Sequence, residues 1–345
     1  MKKADIQMVS FTQGGAALCH RLCRLLGDEA EGYAPRRHVE AGGLITLEGS
    51  VRSWAAERFA CVRALLFIGA AGIAVRAVAP LLRSKGSDPA VLCMDEEGRF
   101  VIPILSGHIG GANALAVRLA SLTGGTPVLT TATDVRGCFS PDAWAAGNGC
   151  AVPRLSQIRG VSSALLEGIP VGFHSDFPVD GPLPPGVYTD LQAEYGIQIS
   201  LEDKPVFSHT LWLLPKCLWI GIGCRKGVDD LLLERMVRTV LEAHGLPLEG
   251  VAGVATISLK AREAALVAFC KKYNLPMTAY PVEELLRVEG SRASSAFVRE
   301  VTGVDNVCER AALAGGGRLL VEKQADQGVT VAVAARDFRV HFEGV

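Results

Sequence analysis

FVIPILSGHIGGAN, residues Phe100–Asn113, is the stretch that decides the predicted fold. Its short apolar run ends at Ser106, passes through Gly107, His108, Gly110 and Gly111, and leads into a helical pattern. A strand that turns into a helix over glycines is typical of α/β proteins. The same turn collects a histidine, polar side chains and unpaired backbone N–H groups, so we expect a functional site there.

Apolar runs on either side of this stretch extend the α/β pattern. Strands are predicted at Ala64–Ile68, Ala90–Met94, Phe100–Leu105 and Thr126–Thr131, with helices between most of them. Pro103 has no N–H for a ladder, which predicts an edge or bulged strand there. The predicted fold class is α/β, with an N-terminal open-sheet domain with covering helices (1–135), a small α/β middle region (136–215) and a separate α/β C-terminal domain (216–345).

Composition excludes several classes of partner. The 345 residues carry a net charge of −1, so no global field attracts nucleic acid or an acidic membrane. No apolar run reaches the ~18–20 residues of a membrane helix, and the N-terminus does not resemble a signal peptide. Ten scattered cysteines without a CxxC pair favour reduced packing residues over disulfides or a metal site. We therefore expect a cytoplasmic protein whose anionic ligands bind to local clusters of bases.

His108 is the candidate for acid–base chemistry at this turn, and a second polar turn follows the next predicted strand. His108 can accept or donate a proton near neutral pH. Thr130, Thr131 and Asp134 follow the next predicted strand, at the carboxyl end where open α/β sheets bind ligands. The alternative is structural: His108 caps or packs, and the hydroxyls only bond along their own turn.

Two further segments of the N-terminal domain carry polar turns. Phe67–Arg76, FIGAAGIAVR, places Gly69, Gly72 and Arg76 at a helix start, where an anion could bind. Close packing of strand against helix explains these glycines equally well. The loop that contains Lys85 and Asp88 is either a further wall of the pocket or a solvated turn.

In the C-terminal domain, Trp219–Gly227, WIGIGCRKG, resembles a dinucleotide fingerprint only loosely. The next predicted strand, Val251–Ile257, brings no acidic residue for a ribose, which argues against NAD. Gly223, Arg225 and Lys226 at a helix start suit another anion instead. Lys260 opens the following helix and by itself would be an ordinary surface lysine.

Taken together, these segments resemble the CbiG family, the cobalt-precorrin-5A hydrolases of anaerobic cobalamin biosynthesis, with a CobE-like C-terminal domain. The resemblance runs in order over essentially the whole chain and is weakest at 136–215. It is carried by Phe67–Pro80, Lys85–Pro89, Val101–Asn113, Pro127–Asp134, Gly221–Gly227, Lys260–Glu263, Ser294, Gly303–Ala312 and Thr330–Ala334.

The resemblance implies a reaction and a set of site residues. The δ-lactone of cobalt-precorrin-5A is opened, and the extruded two-carbon fragment leaves as acetaldehyde to give cobalt-precorrin-5B. His108 would act as the base in the lactone opening, and N–H groups of Gly110–Ala112 would bind the oxyanion. In the C–C cleavage, His108 or Asp134 would act as the base. Cobalt enters within the substrate, so no cofactor or protein metal site is expected. The implied substrate-binding residues are Gly69, Gly72, Arg76, Lys85, Asp88, Ser106, Gly107, Gly110, Gly111, Asn113, Thr130, Thr131, Gly223, Arg225, Lys226 and Lys260.

Other functions and partners stay open at this point. A non-catalytic carrier of tetrapyrroles in the same pathway is the main alternative to an enzyme. A nucleotide-binding regulator is disfavoured by the missing phosphate loop and ribose acid. Besides cobalt-precorrin-5A, neighbouring corrin-pathway enzymes and a second copy of the chain in a homodimer are further partner hypotheses.

Overall fold

The structure of the protein is a computed structural model that describes residues 4–39, 43–84, 86–289 and 306–342. Lys85 and Ser294, both named above, lie outside these residues. The chain divides into two compact units, Met1–Gly147 with Ile158–Ile169, and Asn148–Gln157 with Pro170–Val345. The three-part division predicted at residues 135 and 215 stays a prediction.

The first unit is built on one seven-stranded sheet with the order β3-β2-β1-β4-β5-β6-β7. The strands β1 to β5 are parallel, β6 is antiparallel to β5, and β7 is parallel to β6. The carboxyl ends of β6 and β7 therefore lie at the opposite sheet edge from those of the first five strands. The strands are β1 (Ile6–Ser10), β2 (Ala30–Ala34), β3 (Ile45–Thr46), β4 (Ala64–Ile68), β5 (Ala90–Met94), β6 (Phe100–Leu105) and β7 (Thr126–Pro127).

Helices cover both faces of this sheet. Alternate residues of a strand point to opposite faces, so Leu66 packs with α1 and α4 while Leu65 and Phe67 pack with α2 and α3. Short helices follow β7. The helices are α1 (Gln13–Leu26), α2 (Val51–Arg58), α3 (Ala71–Val78), α4 (Ala112–Thr123), α5 (Ala132–Arg136), α6 (Pro141–Gly147) and α7 (Ser156–Leu166), the last of which begins in the second unit.

The second unit contains two five-stranded sheets and a two-stranded pair. One sheet has the order β11-β9-β12-β13-β8, the other β16-β15-β14-β18-β17, and β10 pairs with β19. The strands are β8 (Cys150–Ala151), β9 (Val171–Ser175), β10 (Val179–Asp180), β11 (Val187–Tyr188), β12 (Tyr195–Ile199), β13 (His209–Pro215), β14 (Leu218–Cys224), β15 (Val251–Ile257), β16 (Met277–Tyr280), β17 (Arg318–Asp326), β18 (Val329–Ala335) and β19 (Val340–His341). Its helices include α8 (Asp230–Ala243), α9 (Ala264–Lys272), α10 (Val282–Arg287) and α11 (Val307–Leu313).

The α/β fold class is confirmed, and so is the bulge at Pro103. Pro103 pairs with Leu92 where the register between β5 and β6 shifts, a place at which a missing N–H breaks no regular ladder. The strand predicted at Thr126–Thr131 is wrong beyond Pro127, because the chain leaves the sheet there and enters α5. That early exit brings Thr131 and Asp134 towards the turn after β6.

Candidate active site

The turn between β6 and α4 closes on itself. The Ala112 N–H donates to the Ser106 carbonyl oxygen at 3.1 Å, and the Gly111 N–H donates to the His108 carbonyl oxygen at 2.9 Å. A Cβ on Gly110 would lie 2.3 Å from the Ser106 Cβ, and Gly111 has a φ of 78°, so the tight path needs both glycines. Of the three N–H groups predicted as oxyanion donors, Gly110 alone finds no acceptor among the described residues.

Ser106 and Asp88 hold the turn to a neighbouring loop. The Ser106 hydroxyl donates to the Asp88 carbonyl oxygen at 2.9 Å, and the Asp88 carboxylate accepts from the Arg83 N–H at 3.0 and 3.2 Å. Gly107 accepts from the Asn113 N–H at 2.9 Å. These predicted ligand-binding residues therefore also build the walls of the site.

The ring of His108 lies between two carboxylates. Its Nε2 is 3.1 Å from Asp134 Oδ2, and its Nδ1 is 3.3 Å from Asp142 Oδ2. The hydroxyls of Thr133 and Ser140 lie 3.3 and 3.2 Å from Nε2 and Nδ1, respectively. A neutral imidazole has a single N–H, so only the imidazolium can donate to both carboxylates at once.

Asp134 uses its two oxygens differently. Oδ2 accepts from the Asn113 amide at 2.8 Å and from the Thr131 hydroxyl, besides its contact with His108. No described residue donates to Oδ1. Thr130, one residue earlier than Thr131, is exposed. One oxygen of Asp134 is therefore fixed by three donors while the other is free to meet a water or a ligand.

The charges of His108, Asp134 and Asp142 stabilise one another. The hydrogen bond with Asp142 is the largest of the causes that raise the pKa of His108 to about 9; burial opposes it, and Asp134 adds to it. Burial acts to raise the pKa of Asp134, but hydrogen bonds from Thr131 and His108 outweigh it and hold that pKa below its usual range. The pKa of Asp142 is lowered in the same way, by His108 against burial. At neutral pH the site is an imidazolium flanked by two carboxylates.

The site opens into a cleft of about 650 Å³. His108, Asp134 and Gly107–Gly111 line it, and the side chain of Asp134 is 26% exposed. Arg63 and Arg118 are the cations of its lining. Arg118 pairs with Glu29 at 2.8 Å, whereas Arg63 forms no ion pair among the described residues and interacts with Glu29 only at longer range. The cleft thus offers a carboxylate, an imidazolium and an unpaired guanidinium to one ligand.

Gly69, Gly72 and Arg76 lie at the other edge of the same sheet. β4 ends beside Met94, where β6 begins, while β6 ends beside Val91. Five strand residues at ~3.3 Å each separate the two edges by about 16 Å. These three candidates therefore do not lie at the turn of His108, because β6 runs antiparallel to β5 and β4. Their role in substrate binding stays a prediction.

In the second unit, two predicted segments meet at the carboxyl ends of the parallel strands β14 and β15. Glu263 accepts from the Gly227 N–H at 2.6 Å through Oε1, and its Oε2 lies 3.4 Å from the Lys260 ammonium. Lys260 therefore already has a carboxylate partner. A Cβ on Gly223 would lie 2.6 Å from Thr330 Oγ1, so this glycine serves close packing. Arg225 and Lys226 are exposed.

Sequence reasoning missed Asp142 and Ser140. The predicted boundary at residue 135 assigned Ser140 and Asp142 to the middle region, yet both contact His108 in the first unit. The sequence Ser140-Pro141-Asp142 at a helix start was the available signal. It indicates a helix start and gives no indication of a contact 34 residues away.

Among the described residues, no cluster of three or more His, Cys, Asp or Glu side chains suits a metal ion, and no helix has the length and apolar character to cross a membrane. The fold and site together define an α/β protein with a histidine held between two carboxylates at one edge of an open sheet. Two family models match the chain: cobalamin synthesis G N-terminal at residues 53–134 and cobalamin synthesis G C-terminus at 218–334. The N-terminal match includes His108 and Asp134.

Comparison with curated proteins finds relatives of nearly full length. A cobalt-precorrin-5A hydrolase of Salmonella typhimurium is 34% identical over 96% of this chain and 98% of its own. One of Priestia megaterium is 28% identical over 96% and 95%, respectively. A protein CobE of Sinorhizobium is 30% identical over 34% of this chain and 79% of its own. The chain belongs to the cobalamin synthesis G (CbiG) family.

Proposed function

We propose that this chain is a cobalt-precorrin-5A hydrolase, which opens the δ-lactone of its substrate and releases acetaldehyde to give cobalt-precorrin-5B. Two relatives named for this activity match 96% of the chain. The observation that carries the proposal is the free Oδ1 of Asp134, held beside the charged His108 in a cleft of about 650 Å³. Hydrolysis of a lactone needs this combination, a base for water and positive charge for the oxyanion.

In the proposed first step, Asp134 activates the water. Its low pKa keeps it ionised at neutral pH, and its three donors fix Oδ2 so that Oδ1 faces the ligand. The water oxygen bonds to the lactone carbonyl carbon while its proton passes to Oδ1. The His108 imidazolium and the Gly110 N–H supply positive charge and a donor for the oxyanion. Collapse of the intermediate breaks the ring C–O bond. The ring oxygen takes the proton from Asp134 Oδ1 to become a hydroxyl, which returns Asp134 to its carboxylate form.

In the proposed second step, the same carboxylate removes the proton of the new hydroxyl. The O–H electrons form the carbonyl of acetaldehyde, the C–C bond to the macrocycle breaks, and the conjugated ring accepts that electron pair. A His108 that is already charged cannot accept a proton, so the geometry favours Asp134 over His108 as the base in both steps. Cobalt takes part only as an atom of the substrate in this proposal.

Cations recognise the acidic side chains of the substrate. Arg63 at the cleft is suited to bidentate pairing with an acetate or propionate group, since no described carboxylate occupies it. Arg225 and Lys226 in the second unit are exposed and remain proposed contacts, whereas Lys260 is neutralised by Glu263. A homodimer and contacts with other enzymes of the pathway stay predictions.

An anaerobic assay tests the function. The protein is supplied with cobalt-precorrin-5A, and volatile aldehyde is trapped with a hydrazine. Acetaldehyde in large molar excess over protein is expected. Tight binding of the substrate without aldehyde would instead indicate the tetrapyrrole carrier and contradict the enzyme. An Asp203→Asn variant is the matched control, because it removes an ion-paired aspartate in the second unit, far in sequence from the cleft.

A further inference from the structure

We propose that Asp142, held by Ser140, is a positioning residue that keeps the His108 ring charged and turned so that Nε2 faces Asp134. The inference rests on the proposed function, since it concerns the cation beside the proposed base. Asp142 does not line the cleft, and its side chain is only 11% exposed. It therefore acts on the reaction through His108, without touching the substrate.

The hydrogen bonds around Nδ1 determine where the protons are. The Ser140 hydroxyl has one hydrogen, and it donates that hydrogen to Asp142 Oδ1 at 2.9 Å. Ser140 can then only accept from His108 Nδ1, which lies 3.2 Å away. The other oxygen of Asp142 is an acceptor as well, at 3.3 Å from the same nitrogen. Two acceptors facing Nδ1 require that Nδ1 carries a proton.

The opposite nitrogen faces a third acceptor. Nε2 lies 3.1 Å from Asp134 Oδ2, an oxygen of an ionised carboxylate. The titratable groups that face the ring are thus Asp134 from α5 and Asp142 from α6; its other described polar neighbours, Thr133 and Ser140, are neutral. With Asp142 removed, the neutral ring with its single proton on Nε2 would satisfy Asp134 equally well. Asp142 is therefore the group that decides between the charged and the neutral ring.

This arrangement differs from the hydrolytic triad in which a carboxylate orients a histidine base. There, one nitrogen binds the carboxylate and the other is free to take the proton of a nucleophile. Here both nitrogens are engaged by carboxylates, so the ring holds a positive charge. Ser140 and Asp142 also lie beyond residue 134, the last residue that the N-terminal family model matches.

Asp142→Asn tests the proposal, because asparagine keeps the shape and removes the charge. The pKa of His108 is measured by NMR titration of ring-labelled histidine, and a His108→Gln spectrum assigns its signal among the seven histidines. We expect a pKa of about 9 in the parent protein and a fall of at least one unit in the variant. The alkaline limb of the kcat profile for acetaldehyde release should fall by the same amount, with KM changed less than twofold.

Three further variants separate positioning from a merely structural role. Asp142→Glu keeps the charge and should restore most of the pKa and the pH profile, and Ser140→Ala should give a smaller shift in the same direction. Asp203→Asn should leave both unchanged. If Asp142→Asn does not fold, the Ser140→Ala and Asp142→Glu pair decides by the same two measurements.

Two results would overturn the proposal: a His108 pKa that falls in neither Asp142→Asn nor Ser140→Ala, or a fall in that pKa that leaves the alkaline limb of the kcat profile in place. The second result would leave the proposed hydrolase intact and assign Asp142 a structural role. A parent protein without acetaldehyde release would instead contradict the proposed function, and the titration would still decide whether Asp142 holds the ring charged.

Discussion

Two glycine-rich turns, Ser106–Asn113 and Gly221–Gly227, look alike in sequence. They differ in whether the carboxylate beside them has an oxygen without a hydrogen-bond donor. At the first, Asp134 keeps one oxygen free beside a cleft. At the second, Glu263 has both oxygens occupied, one by the Gly227 N–H and the other by Lys260. A Cβ on Gly221 would lie 1.8 Å from the Cys308 carbonyl oxygen, so that glycine allows α11 to pack on β14.

This comparison shows how a glycine-rich turn that binds a ligand can be distinguished from one that only allows close packing. Glycine shows only that something approaches the backbone closely, whether a ligand or another element of the protein. A polar group whose hydrogen bonds are incomplete, next to a cleft, is the sharper indicator of a site. By that criterion we assign the proposed chemistry to the turn of His108, while the glycines of the second turn serve close packing.

The largest expected effect is at His108. His108→Asn removes the charge beside Asp134 and should lower kcat about 10³-fold, the order found for lost electrostatic and proton-transfer groups. Binding of the tetrapyrrole should change little, because carboxylate-binding cations remain. Acetaldehyde release and a separate binding titration check both statements. An unchanged kcat in His108→Asn would contradict the assignment of the chemistry to the first turn.

The same histidine should make the free energy of unfolding decrease as the pH rises into the alkaline range. Its pKa is about 9 in the folded protein against 6.5 ordinarily, so its stabilising contribution is complete below pH ~6.5 and is lost as pH rises through 9. The free energy of unfolding should fall by about 1–3 kcal/mol over this range, after allowance for solvent at the cleft. Denaturant unfolding at a series of pH values measures it.

His108→Asn should flatten this part of the profile, whereas Glu263→Gln at the second turn should keep the parent slope. A parent slope in the His108 variant would mean that the ring is not held charged in the folded protein.

Much of the framework follows from local sequence. The strands β4, β5, β6 and β15 have the predicted bounds, because each is a short apolar run bounded by turn residues. β2, with the sequence AEGYA, was missed because glutamate and glycine interrupt its apolar pattern. Its stability comes from pairing with β1 and packing beneath α1, which local sequence does not show.

The site was predictable in part for the same reason. The turn of His108 and the residues from Thr131 to Asp134 follow neighbouring strands, so their meeting could be expected. Gly69 and Arg76 lie at the opposite edge, because β6 runs antiparallel to β5. Asp142 depends on the fold of α6 against the turn, a contact between distant residues that no local pattern encodes.

Two arginines at opposite ends of the strands of the first unit test which end binds the substrate, with a smaller expected effect on the kinetics. Arg63→Gln at the cleft should raise KM about tenfold, the value of one charged hydrogen bond to a substrate carboxylate. Arg76→Gln, in α3 beyond the opposite ends of the strands, should change KM less than twofold. Steady-state acetaldehyde release gives both values. An increase for Arg76 equal to that for Arg63 would place the substrate at both edges and contradict the assignment.

The most direct test compares the two carboxylates themselves. Asp134→Asn and Glu263→Gln are assayed in parallel for acetaldehyde release from cobalt-precorrin-5A with enzyme in excess, so that the first turnover is observed. The account predicts a loss of about 10³-fold for Asp134→Asn and less than threefold for Glu263→Gln, with both variants folded. A first turnover at the parent rate in Asp134→Asn, or an equal loss in both variants, would contradict it.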